Sequence, residues 1–81
     1  MNKPSKQVVH WFRLFYELKM HGYSLYDLSI AVEIPKTTLQ NYKSGIEPPH
    51  SSGEMIIAFW AHVTKNSPDS VHKIDRYSHR Q

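Results

Sequence analysis

Cysteine is absent from the 81 residues, so neither a disulfide framework nor a zinc–thiolate site can support the fold. Glycine occurs only three times, too sparsely for a glycine-rich nucleotide cradle. The longest apolar run, Met55 to Ala61, falls far short of the ~20 residues of a membrane span. The residues show no signal-peptide pattern, and the expectation is an intracellular protein without a membrane partner. A nucleophile elbow, a close carboxylate pair and a His-Glu-x-x-His motif are missing as well. The six histidines, His10, His21, His50, His62, His72 and His79, include no pair at i, i+3 or i+4, the spacing that sets two ligands on one helix face. No catalytic residue, metal, cofactor or small-molecule substrate is expected, and the chain does not read as an enzyme.

Acid is scarce where it matters most. Between Ser24 and Ile46 the only charges are Asp27, Glu33, Lys36 and Lys43. The net charge of +3 comes mainly from the flanks: Lys3, Lys6, Arg13 and Lys19 before, Lys65, Lys73, Arg76 and Arg80 after. The hydrophobic fraction is 40%, with two tryptophans, five tyrosines and three phenylalanines. That is enough for one small folded core, and periodicity makes the expected fold class all-α, a compact domain of four to five helices spanning residues 1–81.

The most informative stretch runs from Leu25 to Ile46. Leu25, Leu28, Ala31 and Val32 repeat at helical spacing, as do Leu39, Tyr42 and Ile46. Glu33, Ile34 and Pro35 fall between them, with Ile34 placed to plug a corner and Pro35 to open the second helix. Ser24 and Asp27 have the spacing of a capping box, with Tyr23 as a hydrophobic staple on Leu28. Lys36, Thr37, Gln40, Asn41 and Ser44 share the face opposite Leu39 and Tyr42. That strip is polar and free of acid, and its side chains suit hydrogen bonding to base edges.

These residues resemble the helix-turn-helix of the lambda-repressor/Cro-like (Xre) family, which favours Leu-Ala-x-x-x-Gly-Val-Ser-x-x-x-Ile-Ser-x-Trp-Glu-x-Gly. Leu28, Ile34, Leu39, Tyr42 and Gly45 fall on its Leu, Val, Ile, Trp and final Gly positions without a gap. Ser29 replaces the Ala, Glu33 the turn Gly and Pro35 the capping Ser. The resemblance implies a lambda-repressor-like domain with the helix-turn-helix at about 24–45, and a turn with φ > 0 at Glu33. It implies a double-stranded DNA partner, with Lys36, Thr37, Gln40 and Asn41 reading bases and Ser24, Tyr26, Thr38, Lys43 and Ser44 touching phosphates. The implied role is a transcriptional regulator of a bacterial cytoplasm, of phage or prophage type, repressing as a dimer on a palindromic operator. The alternative is a protein–protein or antitoxin-like module on the same fold.

The rest of the chain supplies support. Ser5 can cap a first helix over about 5–21, ended by Gly22, with Val8, Trp11, Phe12, Phe15 and Leu18 as inner stripe, widened by Val9, Tyr16 and Met20. Pro48 and Pro49 interrupt, Ser51 or Ser52 caps, and a fourth helix follows over about 53–65. Its core face would be Ile56, Phe59 and Val63, leaving Ile57 and Trp60 outside for a homodimer contact. Val71, Ile74 and Tyr77 repeat at i, i+3 and i+6, so the basic tail over 67–81 reads as a short helix.

Overall fold

In the computed structural model, which describes residues 7–75, the two ends of that stretch meet in a short antiparallel ribbon. Strand β1 (Gln7–Val9) pairs with β2 (Lys73–Asp75), in the register Gln7 to Asp75 and Val9 to Lys73. Between them lie α1 (Trp11–Met20), α2 (Leu25–Val32), α3 (Lys36–Lys43), α4 (His50–Thr64) and a 3-10 turn (Pro68–Ser70). The protein is thus mostly helical, with a β ribbon that periodicity alone did not predict.

The core draws on every helix. Leu14 and Leu18 of α1, Leu28 of α2, Leu39 of α3, and Ile56 and Trp60 of α4 are fully buried. Helix α1 packs on α3 and α4, and α2 packs on α3 and α4, so a single apolar centre serves all four. No helix among the described residues is long and apolar enough to cross a membrane.

The first helix begins later than residue 5. Val8 and Val9 are β-branched and enter the ribbon, where such side chains fit well. The His10 N–H donates to the His72 carbonyl at 2.9 Å, which holds the chain extended up to the start of α1. With Val8 off the helix, the buried stripe turns by about one residue. It comprises Trp11, Leu14, Phe15 and Leu18, while Phe12, Tyr16 and Met20 are exposed. The end of α1 follows expectation. Gly22 adopts φ 94°, and the Gly22 and Tyr23 N–H groups bond back to Lys19 and Leu18 in a Schellman motif.

Helix α4 starts at His50, directly after Pro49, with no side-chain cap, and so places Ser51 and Ser52 inside it rather than before it. Its buried face is Gly53, Ile56, Trp60 and Ala61. Trp60 is therefore a core residue at 1% exposure, not a surface anchor. Ile57, Phe59 and Val63 are half-buried beside it, packed against the same cluster. Expecting Ile57 and Trp60 to be left over for a dimer contact rested on centring the helix on Phe59, which instead meets Tyr23 edge-on at 5.3 Å.

Among the described residues after Asn66, the chain forms the 3-10 turn and β2 rather than a helix, and the rest of the expected 67–81 helix lies outside the described residues. Val71 is buried and Ile74 lies in β2, opposite Val8. Ser5, Tyr77 and the flanking bases Lys3, Lys6, Arg76 and Arg80 lie outside the described residues. One buried polar atom, Nε1 of Trp11, has no hydrogen-bond partner among the described residues, an omission that costs about 1–3 kcal/mol.

Candidate nucleic-acid interface

The pair α2–α3 is held at both ends by local chemistry. At the start of α2, Ser24 Oγ accepts from the Asp27 N–H at 3.1 Å, and the Asp27 carboxylate accepts from the Ser24 N–H at 3.0 Å. The reciprocal box satisfies two N–H groups that would otherwise be unpaired and places a negative charge at the positive end of the helix. The Ser24 hydroxyl proton is also directed at Asp27, at 3.0 Å, so at this helix start the donors open to a phosphate are backbone N–H groups.

The corner turns on Glu33, which adopts φ 59° and ψ 42°, the left-handed region. That geometry costs a residue with a Cβ about 1 kcal/mol relative to glycine. Ile34 is buried beneath the corner, and Pro35, at φ −57°, leads into α3. Pro35 offers no side-chain acceptor, so α3 begins uncapped. Its end is secured: Gly45 takes φ 122°, and the Gly45 and Ile46 N–H groups reach the Tyr42 and Asn41 carbonyls at 3.1 and 3.0 Å. This second Schellman motif throws Ile46 outward, so Ile46 is exposed and does not extend the Leu39–Tyr42 face. Ala31 is likewise exposed, and the inner face of α2 is Leu28 and Val32, with Leu25 partly buried.

Leu39 and Tyr42 are buried against α1 and α2, which fixes the roll of α3 about its axis. The opposite side carries Lys36, Thr37, Gln40, Asn41 and Ser44, all exposed. Among the described residues, no hydrogen bond or ion pair engages the side chains of Lys36, Thr37, Gln40 or Asn41. The Ser44 hydroxyl is committed, donating to the Asn41 carbonyl at 2.9 Å. Thr38 is half-buried on the flank and Tyr26 is exposed on α2.

Two cations gather at the far end of this surface. Lys19 of α1 and Lys43 of α3 line, with Ser24, a depression of about 380 Å³ between the end of α1, the start of α2 and the end of α3. The Lys43 ammonium sits 5.6 Å from the centre of the Phe12 ring, a cation–π contact of about 0.5–1 kcal/mol at an exposed site. The family resemblance pointed to Lys43 but not to Lys19, whose proximity to Lys43 depends on how α1 crosses α3. Among the described residues no cluster of three or more His, Asp or Glu side chains is arranged to hold a metal ion. Ile57 and Trp60 take no part in this surface. Comparison of the chain with protein-family models, with curated proteins and with solved structures finds no match in any of the three.

Proposed function

We propose that the protein is a sequence-specific double-stranded DNA-binding regulator of lambda-repressor/Cro-like type, with α2 and α3 as its helix-turn-helix and α3 as the reading helix. The observation that carries this reading is the exposed strip on α3, whose Lys36, Thr37, Gln40 and Asn41 side chains are unengaged among the described residues while Leu39 and Tyr42 lock the opposite face. In a major groove, Gln40 and Asn41 can pair bidentately with adenine, Lys36 can donate to guanine, and the Thr37 methyl can meet thymine. Lys43 and Lys19 then supply phosphate contacts beside the backbone N–H groups at the start of α2, with Tyr26 and Thr38 on the flanks.

One reading helix covers a half-site, so the regulator acts as a dimer on an operator with half-sites roughly 34–36 Å apart, and represses by occluding a promoter. Since Trp60 is used in the core, the apolar surface open to such a contact includes Phe12, Tyr16 and Met20, which share one side of α1. That same stripe supports a second reading, in which the domain binds another protein and the α3 strip is idle. Selection of a binding site from random duplexes, followed by gel shifts at increasing salt, separates the two. Enrichment of one palindromic sequence with strongly salt-dependent affinity is expected; recovery of no sequence would overturn the DNA reading.

A further inference from the structure

A groove of about 500 Å³ runs between β1, the start of α4 and the 3-10 turn, and none of its lining residues belongs to α2 or α3. Its walls are apolar: Val9, Trp11, Pro48, Ile57 and Val71. Gly53 keeps one wall low. A Cβ there would stand 3.5 Å from the Trp11 ring, on the edge that leads through Cζ2 to Nε1. That indole is nine-tenths buried, and its N–H has no partner among the described residues.

The rim is acidic. Glu47, Glu54 and Asp69 stand around the opening against Lys73 and His50, and His50 already lies 3.2 Å from Glu54. We infer that the groove takes an extended, basic, proline-containing peptide segment of a partner protein, one of whose backbone carbonyls accepts the Trp11 indole N–H. An extended proline-rich chain leaves its carbonyls free and loses little entropy on docking, and its rings pack on tryptophan and proline walls. Nε1 is itself buried, so the Trp11 side chain shifts toward the groove as this bond forms. Its lysines or arginines answer the three carboxylates, which would repel an acidic chain. Because the site is separate from α3, it allows a partner to ride on the regulator while α3 is engaged.

The test is a titration of the intact, nitrogen-15-labelled protein with the peptide acetyl-Lys-Pro-Leu-Pro-Pro-Lys-amide, with the glutamate counterpart as control. The two indole N–H resonances are assigned with Trp11→Phe. The Trp11 resonance should move downfield with the basic peptide, while that of Trp60, already bonded to Glu17, stays. Glu54→Lys with Asp69→Lys should weaken binding about tenfold, with circular dichroism unchanged. A Trp11 resonance unmoved at millimolar basic peptide, or equal binding of the glutamate peptide, overturns the inference. So does a Trp11 shift that tracks the protein's own concentration, which would make the occupant a second copy of this chain.

Discussion

The indole N–H of Trp60 donates to Glu17 Oε1 at 2.9 Å, tying α4 to α1 at the margin of the core. The other carboxylate oxygen of Glu17 accepts from Arg13 Nε at 3.1 Å and lies 3.5 Å from His72 Nε2. One side chain thereby links the first helix, the last helix and the loop leading into β2. Trp60→Ala should lower unfolding free energy by about 3–5 kcal/mol, as for a large core residue truncated to a cavity. Urea titration measures it; a folded variant of parental stability would return Trp60 to the surface.

Glu17 also predicts a pH effect. Burial alone would raise its pKa, but hydrogen bonds from Trp60 and Arg13, with the nearby charges of His72 and Arg13, outweigh burial and hold it below the ordinary 4.5. A carboxyl depressed on folding adds stability that is complete above its unfolded value and is lost as pH falls through the folded value. Urea midpoints should therefore drop below about pH 4.5 more steeply in the parent than in Glu17→Gln. Parallel curves for the two proteins would remove Glu17 from the account.

On the proposed DNA reading, the α3 variants Gln40→Ala and Asn41→Ala should each weaken binding to the selected operator by about 1–3 kcal/mol and relax preference at one base position. Thermal stability should hardly change, because both side chains are exposed and unbonded among the described residues. Lys19→Ala and Lys43→Ala should instead weaken all sequences alike and reduce the salt slope by about one unit each. Anisotropy titrations at several salt concentrations distinguish the two patterns.

The corner is testable by stability alone. Glu33→Gly relieves a left-handed residue of its Cβ, so the variant should match the parent or gain up to about 1 kcal/mol despite the added chain entropy. A clear loss in melting temperature would mean that the Glu33 side chain contributes something its exposed position does not reveal.

Gly53 sits inside α4 with an ordinary helical backbone, and an added methyl would meet Trp11 and Pro48 at 3.5 to 3.7 Å, normal contact distances. Gly53→Ala should accordingly stabilise by about 0.5–1 kcal/mol through helix propensity. Gly53→Leu should be less stable than Gly53→Ala, since a longer chain must push against Trp11 and Pro48 or project its apolar end into the open groove. Calorimetry on both variants decides.

What could be read in advance follows from range in sequence. The Ser24–Asp27 box, the Gly22 helix end and the inward Leu39–Tyr42 pair are settled by residues three to five positions apart, and each is found as expected; the helix end at Gly45 differs from the expectation that Ile46 continues the α3 face. The left-handed turn at Glu33 came from resemblance, as nothing local favours Glu in that conformation. Val8 and Val9 were misread because helical spacing with Trp11 and Phe12 is satisfied by chance, while their true partners, Ile74 and Lys73, lie at the other end of the chain. Trp60 was misplaced for a related reason. An all-round apolar helix does not announce which side faces inward, and its partner Glu17 sits on another helix. The α3 strip, being one face of one helix, was legible entire; the Lys19–Lys43 pairing, which needs two helices to cross, was not.

The ribbon has a kinetic consequence. Joining Gln7 to Asp75 encloses all four helices within one large loop, and closing such a loop costs entropy that its few hydrogen bonds cannot offset until the helices have already brought the strands together. The ribbon is thus the last part to zip and the first to open, and its amides should exchange with solvent through sub-global opening while Leu28, Leu39 and Ile56 exchange only on global unfolding. Trp11 stands at the hinge of that seam, just after the His10–His72 bond. Each opening therefore also loosens the wall that keeps its indole N–H from water.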